Sequence, residues 1–194
     1  KAHLLDLVDS TLADLEDAGC LNLEADGDTS IISPTGLAGV ASRYYLDYRT
    51  VALFRDRLGM VPVANEGGGS GLGLDQGSIP GLCRLLADAQ EFAELPVRHN
   101  EDGLNRDLAK SLPWQLAGEE ELDSPHAKAF LLLQAHFDRC PLPISDYETD
   151  TRGVLDQASR VLNAAVDVAA GYGLLWGCLG LVRVSQMLVQ VNTE

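Results

Sequence analysis

The stretch TRGVLDQASRVLNAAVDVAA, residues 151–170, decides the fold that the sequence predicts. Successive residues of an α-helix are turned by about 100°, so residues three and four apart share a face. On that spacing one side of the stretch is apolar, and its residues are Val154, Leu155, Ala158, Val161, Leu162, Ala165, Val166, Val168 and Ala169. A long apolar side of this kind is typical of a helix packed inside a helical bundle.

The opposite side of this helix carries a narrow polar stripe. Its residues are Arg152, Asp156, Arg160, Asn163 and Asp167, with Gln157 on the flank. Any helix face exposed to solvent shows polar residues at this spacing. The stripe alone therefore does not distinguish a solvated surface from a face that contacts a ligand.

The segments before this helix predict a small α/β unit at the start of the chain. Residues 1–18 carry leucines at helical spacing up to the breaker Gly19, and residues 20–33 alternate polar and apolar side chains around an Asp-Gly turn. These patterns predict a helix and a β-hairpin. A helix followed by a small hairpin is, among other things, the C-terminal half of a winged helix, which sets residues 1–35 as a first domain.

Helical patterns dominate the remainder, residues 36–194, which we interpret as a multi-helix bundle. The segments with helical periodicity are 37–59, 79–92, 100–112, 124–140, 151–170 and about 174–191. The content of aromatic residues is 6% while leucine and alanine abound, and this favours helices over sheets. The predicted fold class is mainly α, a partial winged helix followed by a bundle with one long helix.

A Gly-rich insert, VPVANEGGGSGLGLDQGSIPG at residues 61–81, interrupts the bundle. This composition predicts a flexible loop. A phosphate-binding loop is disfavoured because no strand precedes the glycines and no Gly-Lys-Ser/Thr follows them.

Charge and cysteines restrict the functional classes. The 29 acidic and 14 basic residues give a net charge of −15, which repels phosphate backbones, so any nucleic-acid contact must be local or aided by a basic partner. The four cysteines are dispersed, which disfavours a zinc site and fits a reducing intracellular compartment. The longest apolar run, residues 173–182, is too short to span a bilayer, so we expect no membrane contact.

The string RHNED, residues 98–102, is the strongest candidate for chemistry outside the polar stripe. His99, Glu101 and Asp102 have side chains that ligate metals or transfer protons. The favoured interpretation is structural, with Arg98 and Glu101 forming an ion pair and the acidic residues placed at a helix N-terminus. No catalytic residue and no metal ligand is assigned.

Longer motifs resemble a known family. The string GLAGVASRYYLDYRTVALFRDRL is similar to the join between winged helix and helical bundle in the Sec-63 homology unit of Ski-2-like helicases. The runs LPVRHNEDGLNRDLAKSLP, DSPHAKAFLLLQAHFDRCPLP and DYETDTRGVLDQASRVLNAAVDVAA extend the resemblance over most of the chain. Within that family, PVRHNED, LDQASRV and DYETDT are most similar to the C-terminal cassette of a member with two cassettes.

The resemblance implies a role for the polar stripe. In this family one long bundle helix, the ratchet helix, contacts the single strand that leaves the motor, and the matching segment here is 151–170. Gln157, Arg160 and Asn163 fall at the strand-facing positions. Guanidinium and amide groups hold phosphates, sugars or bases without demanding a sequence.

The family also implies what accompanies these residues. ATP and Mg²⁺ belong to RecA-like domains that this sequence does not contain, so no activity is expected from this chain alone, and the chain itself needs no cofactor. Expected partners are single-stranded DNA or RNA, RecA-like domains of the same polypeptide and other subunits of a helicase complex. The family acts in the nucleus and cytoplasm, in ribosome quality control, DNA repair and transcriptional coactivation.

Two alternatives remain open from the sequence. The chain is either a strand-guiding module or a protein-interaction scaffold, and the acidic charge suits the second. Because residue 1 is not Met and the helical pattern has already begun there, we expect a piece of a longer polypeptide.

Overall fold

The computed structural model describes residues 2–26, 29–59, 78–116 and 122–190. Its elements in chain order are α1 (Ala2–Asp17), β1 (Leu21–Asp26), β2 (Thr29–Pro34), α2 (Gly36–Tyr44), α3 (Tyr48–Gly59), α4 (Ile79–Ala87), a 3-10 turn (Gln90–Phe92), α5 (Glu101–Ser111), α6 (Pro125–Phe137), α7 (Ser145–Gly171) and α8 (Leu175–Gln190). The predicted fold class, mainly α with a small hairpin, is confirmed.

The front of the chain is the predicted helix and hairpin. β1 and β2 pair antiparallel, with Leu23 opposite Ile32, and the two turn residues between them lie outside the described residues. Gly19 ends α1 with a φ of 71°, a left-handed conformation that favours glycine. A Cβ at Gly19 would lie 2.7 Å from Nη1 of Arg55, so a side chain here would displace the guanidinium that donates to the carbonyl of Asp17.

One predicted helical stretch, 37–59, is two helices. Tyr45 adopts a left-handed conformation and ends α2, whose N-terminus is capped by the hydroxyl of Thr35. Asp47 Oδ1 then accepts a hydrogen bond from the backbone N–H of Arg49 at 2.8 Å, which supports the start of α3. The periodicity of apolar residues hid this corner because both helices direct their apolar sides into the same core.

α7 lies at the centre of the bundle. It packs against α2, α3, α4, α6 and α8. α6 is enclosed as well, since every side chain from Ala127 to Ala135 is buried. Together α6 and α7 supply the largest share of the core. Separately, no helix within the described ranges is long and apolar enough to cross a membrane.

Several predicted boundaries need correction. α7 begins at Ser145 and not at residue 151 as predicted, and Tyr147, Asp150 and Thr151 lie on its buried side. α6 begins as the helical segment 124–140 predicts, and Ser124 caps it by accepting from the N–H of Ala127 at 3.0 Å. Asn100 precedes α5 but makes no capping bond through its side chain.

The structure corrects one end of the predicted Gly-rich insert but does not test the predicted domain boundary. α4 begins at Ile79, so residues 79–81 of the predicted insert are helical, and the segment 61–77 lies outside the described residues. The division of the chain into residues 1–35 and 36–194 stays a prediction.

Candidate nucleic-acid interface

α7 leaves part of its polar stripe uncovered. The helix has 27 residues, a length of about 40 Å at a rise of 1.5 Å per residue. Its exposed positions in the middle include Arg152, Asp156, Ser159 and Asn163, which follow one another at spacings of three and four. These four residues are called the open face of α7 below.

Beside the open face, Arg160 is attached to the end of α2. Its Nη1 donates to the backbone carbonyl oxygens of Tyr44, at 2.8 Å, and Tyr45, at 2.5 Å, and its Nη2 donates to Oε1 of Gln157. The last carbonyls of a helix have no partner within the helix, and a cation there complements the helix dipole. Arg160 therefore caps α2 and holds it against α7.

A second contact fastens α2 further along α7. Asp167 accepts a hydrogen bond from Arg43 Nη1 at 2.9 Å and another from the hydroxyl of Tyr44 at 3.0 Å. The bond to the carboxylate of Asp167 raises the pKa of Tyr44. Asn163 lies between Arg160 and Asp167 along the helix and remains exposed. Arg160 and Asp167 of the stripe are thus used for packing, whereas Asn163 between them is not.

A cavity of about 340 Å³ adjoins Gln157 and Arg160. Its other lining residues are Asp47, Arg49, Gln90, Glu91 and Glu94. Two of the three carboxylates already serve the fold. Glu91 accepts from the hydroxyl of Thr50 at 2.6 Å and from the N–H of Asp47 at 2.9 Å, while the hydrogen bond from Arg49 lowers the pKa of Asp47.

Near the first turns of α7 lies an ion network in which Glu101, Lys128 and Asp150 are buried and Arg98 is exposed. The ammonium of Lys128 lies 2.6 Å from Glu101 and 2.7 Å from Asp150 and also donates to the carbonyl of Pro96 at 2.7 Å. The guanidinium of Arg98 lies 2.9 Å from Glu101 and 2.7 Å from Asp150. The predicted Arg98–Glu101 pair thus has two further members, and the network joins α5, α6 and α7.

Burial and charge act in opposite directions on these carboxylates. Burial raises the pKa of Glu101 and of Asp150, but the hydrogen bonds from Lys128 and Arg98 outweigh it, so both pKa values lie below their usual range. Burial, together with the same two carboxylates, raises the pKa of Tyr147. The ring of Tyr147 lies under Lys128, whose ammonium is 4.7 Å from its centroid. Glu101, Lys128 and Asp150 are therefore charged, paired and buried, whereas Arg98 pairs with both carboxylates from an exposed position.

Sequence reasoning missed Lys128 and Asp150, although a signal existed for each. Lys128 is a charged residue inside the apolar run of α6, where a charge needs a partner. Asp150 lies on the apolar side of α7, three residues after Tyr147 and four before Val154. A polar residue at a core position predicts a partner but does not say which one.

The candidate residues in RHNED do not come together as a ligand set. Glu101 is buried in the ion network, whereas His99 and Asp102 are exposed. Within the described ranges no three His, Cys, Asp or Glu side chains are grouped so that they could hold a metal ion. The described geometry therefore assigns a structural role to Glu101.

The sequence matches a known class of domain. The family model described as the Sec63 Brl domain matches residues 72–193, and the chain belongs to this family. The family that the sequence motifs indicate is thereby confirmed.

Relatives cover nearly the whole chain. It is 42% identical to the activating signal cointegrator 1 complex subunit 3 of Dictyostelium discoideum over 97% of its length. It is likewise 42% identical over 97% to the DExH-box ATP-dependent RNA helicase DExH14 of Arabidopsis thaliana, and 34% identical over 97% to the human U5 small nuclear ribonucleoprotein 200 kDa helicase. The chain spans 8% of the length of each of these relatives.

Proposed function

We propose that this chain is a strand-guiding accessory module of a Ski-2-like helicase. In this proposal α7 is the ratchet helix and contacts a single strand through Gln157, Arg160 and Asn163. The names of two relatives contain the word helicase, and one of them is called an RNA helicase. RNA is therefore the strand to test first, with DNA as the comparison.

The open face of α7 is the observation that carries the proposal. The buried side of this helix is packed against neighbouring helices, and Arg160 and Asp167 fasten the helix to α2. Contacts on both sides of the open face hold α7 in place. The exposed side chains of the open face therefore form a fixed row. Fixed donors and acceptors are what contact with a moving strand requires.

The chemistry of the row suits contact without sequence preference. Because Oε1 of Gln157 accepts from Arg160, the amide N–H groups of Gln157 are the ones left for a ligand. Asn163 offers both an amide donor and a carbonyl acceptor. Asp156 beside them limits the attraction for phosphate, so the strand is held weakly and released at each step.

In this proposal, nucleotide, metal and protein partners are bound outside these residues. ATP and Mg²⁺ would bind RecA-like domains of the same polypeptide, and other subunits of a helicase complex would be its protein partners. With 29 acidic residues in this chain, the attraction for the strand as a whole must come from those domains.

The test is unwinding by the complete protein. We expect Asn163→Ala and Gln157→Ala each to slow unwinding of a tailed RNA duplex about fivefold, since one lost hydrogen bond is worth about 1 kcal/mol. Gln186→Ala is the matched control, because Gln186 is an exposed amide on α8. Unchanged rates in both α7 variants would contradict the proposal.

A second candidate, a protein-docking scaffold, is favoured by one observation. α8 exposes Leu175, Trp176, Leu179 and Val182, which lie within two turns of one another. Exposed apolar side chains grouped in this way are typical of interaction surfaces. Leu179→Glu would then abolish assembly with the other subunits of the complex and leave unwinding intact, whereas the strand-guiding proposal expects the α7 variants to act on unwinding.

A further inference from the structure

The corner between α2 and α3 holds Tyr45 in a costly arrangement. Its φ and ψ are 51° and 48°, a left-handed conformation that glycine or asparagine normally adopts at the end of a helix. Its side chain is 86% exposed, more than any other large hydrophobic residue in the described part of the chain. The fold thus accepts backbone strain and gains no buried ring in return.

The backbone of this corner is nevertheless firmly held. The carbonyl of Tyr45 accepts from Arg160 at 2.5 Å, and the N–H of Leu46 donates to the carbonyl of Ala41 at 2.9 Å. Leu46 itself is buried, which anchors the chain directly after the tyrosine. Residues 44 and 46 point inward, so the ring of Tyr45 is directed to solvent from a rigid base.

The neighbouring tyrosines show that exposure is specific to Tyr45. Tyr44 donates to Asp167, and the ring of Tyr48 lies 5.7 Å from the guanidinium carbon of Arg49. Among the described residues, the ring of Tyr45 has neither an aromatic nor a cationic partner. An aromatic ring with two uncovered faces is free to stack.

The corner that carries the ring of Tyr45 lies next to the polar stripe of α7. Arg160, which holds the carbonyl of Tyr45, is bonded to Gln157 and lies one turn before Asn163. Tyr45 therefore stands beside the row of side chains assigned above to the strand. Stacking of a base on an aromatic ring tolerates any sequence, because every base has a π-face.

We propose that Tyr45 stacks on a nucleobase of the single strand that passes along α7. This inference rests on the proposed function, since it needs a strand at the open face. It adds a contact of a different kind, because α7 offers hydrogen bonds to the strand and Tyr45 offers an apolar surface to one base. Arg160 then has a positioning role for this contact, since it fixes the corner that carries the ring.

The substitution Tyr45→Gly separates stacking from folding. Glycine adopts the left-handed conformation without strain, so we expect the melting temperature to stay equal or rise. Tyr45→Phe keeps the ring and removes only the hydroxyl. Tyr172→Ala is the matched control, because Tyr172 is an exposed tyrosine that follows α7 at its other end.

The measurement is the affinity of the complete protein for oligouridylate and for an abasic strand of equal length, by fluorescence anisotropy. We expect Tyr45→Gly to weaken oligouridylate binding about tenfold, with Tyr45→Phe and Tyr172→Ala within twofold of wild type. On the abasic strand, Tyr45→Gly and wild type should bind alike. A well-folded Tyr45→Gly protein within twofold of wild type on oligouridylate would overturn the stacking proposal, and so would equal weakening on both strands.

Asn163→Ala distinguishes the two proposals in the same assay. If Asn163→Ala weakens oligouridylate binding and Tyr45→Gly does not, the stacking contact is overturned and the strand-guiding function stands. If neither variant weakens binding, both proposals are overturned. If both weaken it and only the effect of Tyr45→Gly disappears on the abasic strand, both are supported.

Discussion

Two groups of charged and polar residues, each containing residues of α7, differ in burial and in whether their charges are paired. At the start of α7, Asp150 is buried with Lys128 and Glu101, and Arg98 contacts both carboxylates from an exposed position. Each of these charges has a partner within 3 Å. In the middle of α7, Arg152, Asp156 and Asn163 are exposed. Of the RHNED motif, which looked most like chemistry in the sequence, Glu101 is buried in structural ion pairs, while the middle of the stripe that looked ordinary is exposed.

The largest expected effect on stability comes from disrupting the ion network around Lys128. Lys128→Met leaves the buried carboxylates of Glu101 and Asp150 without their ammonium partner, and loss of one member of a buried pair costs about 3–5 kcal/mol. Urea denaturation measures the change. Lys110→Met is the matched control, because Lys110 and its partner Asp107 are both exposed and solvent screens their attraction, so a much smaller change is expected. A Lys128→Met protein as stable as the control would contradict the network's structural role.

The pH dependence of stability tests the same ion network. The pKa values of Glu101 and Asp150 are lowered in the folded state, so the unfolded state binds more protons in acid. Their stabilisation is complete above the unfolded pKa values of about 4 and is lost as the pH falls through the folded ones. We therefore expect the free energy of unfolding to fall steeply below about pH 4.

A variant that carries Lys128→Met, Glu101→Gln and Asp150→Asn together checks this assignment. It removes both titrating carboxylates while keeping the volume of the side chains. Its unfolding free energy should change less between pH 5 and pH 3 than that of the wild type. Parallel pH profiles for the two proteins would assign the acid sensitivity to other carboxylates.

Smaller effects are expected where α2 is fastened to α7. Arg160→Met removes the hydrogen bonds to the carbonyls of Tyr44 and Tyr45, and hydrogen bonds from a charged group are worth about 1.5–3 kcal/mol. Arg152→Met is the matched control, since Arg152 lies exposed on the open face of the same helix and should change stability by less than about 0.5 kcal/mol. Equal stabilities of the two variants would show that Arg160 does not cap α2.

The smallest effect on stability belongs to the open face itself. Asn163→Ala places a better helix former at an exposed position, so the unfolding free energy should be unchanged or rise by about 0.5 kcal/mol. Thermal melting measures it beside the wild type. A marked loss of stability would mean that Asn163 supports the fold and would remove the ground for assigning it to a strand.

Much of the fold was predictable because it follows from local rules. The apolar spacing in 151–170 and the Ser124-Pro125 start of α6 each specify their own element. The corner at Tyr45 was not predictable, because it depends on Arg160, which is 115 residues away. Asp47 gave a signal for it, since Asp directly before a helical run is a common N-terminal residue.

The candidate site was predictable in its residues and not in its geometry. The stripe on 151–170 and the pair Arg98–Glu101 both follow from spacing. Which side chains of the stripe remain exposed depends on where α2 packs, and the periodicity of α7 does not contain that information. The partners of Lys128 were hidden for the same reason, because Glu101 and Asp150 come from two other helices.

Photocrosslinking tests the central claim, that the middle of α7 contacts a single strand, most directly. The photoreactive amino acid benzoylphenylalanine replaces Ser159 on the open face or, as control, Gln186 on α8, and the complete protein is irradiated while bound to a radiolabelled single-stranded RNA. The account predicts a crosslink to RNA from position 159 and little from position 186. Absence of a crosslink at position 159, or equal yields at both positions, would contradict it.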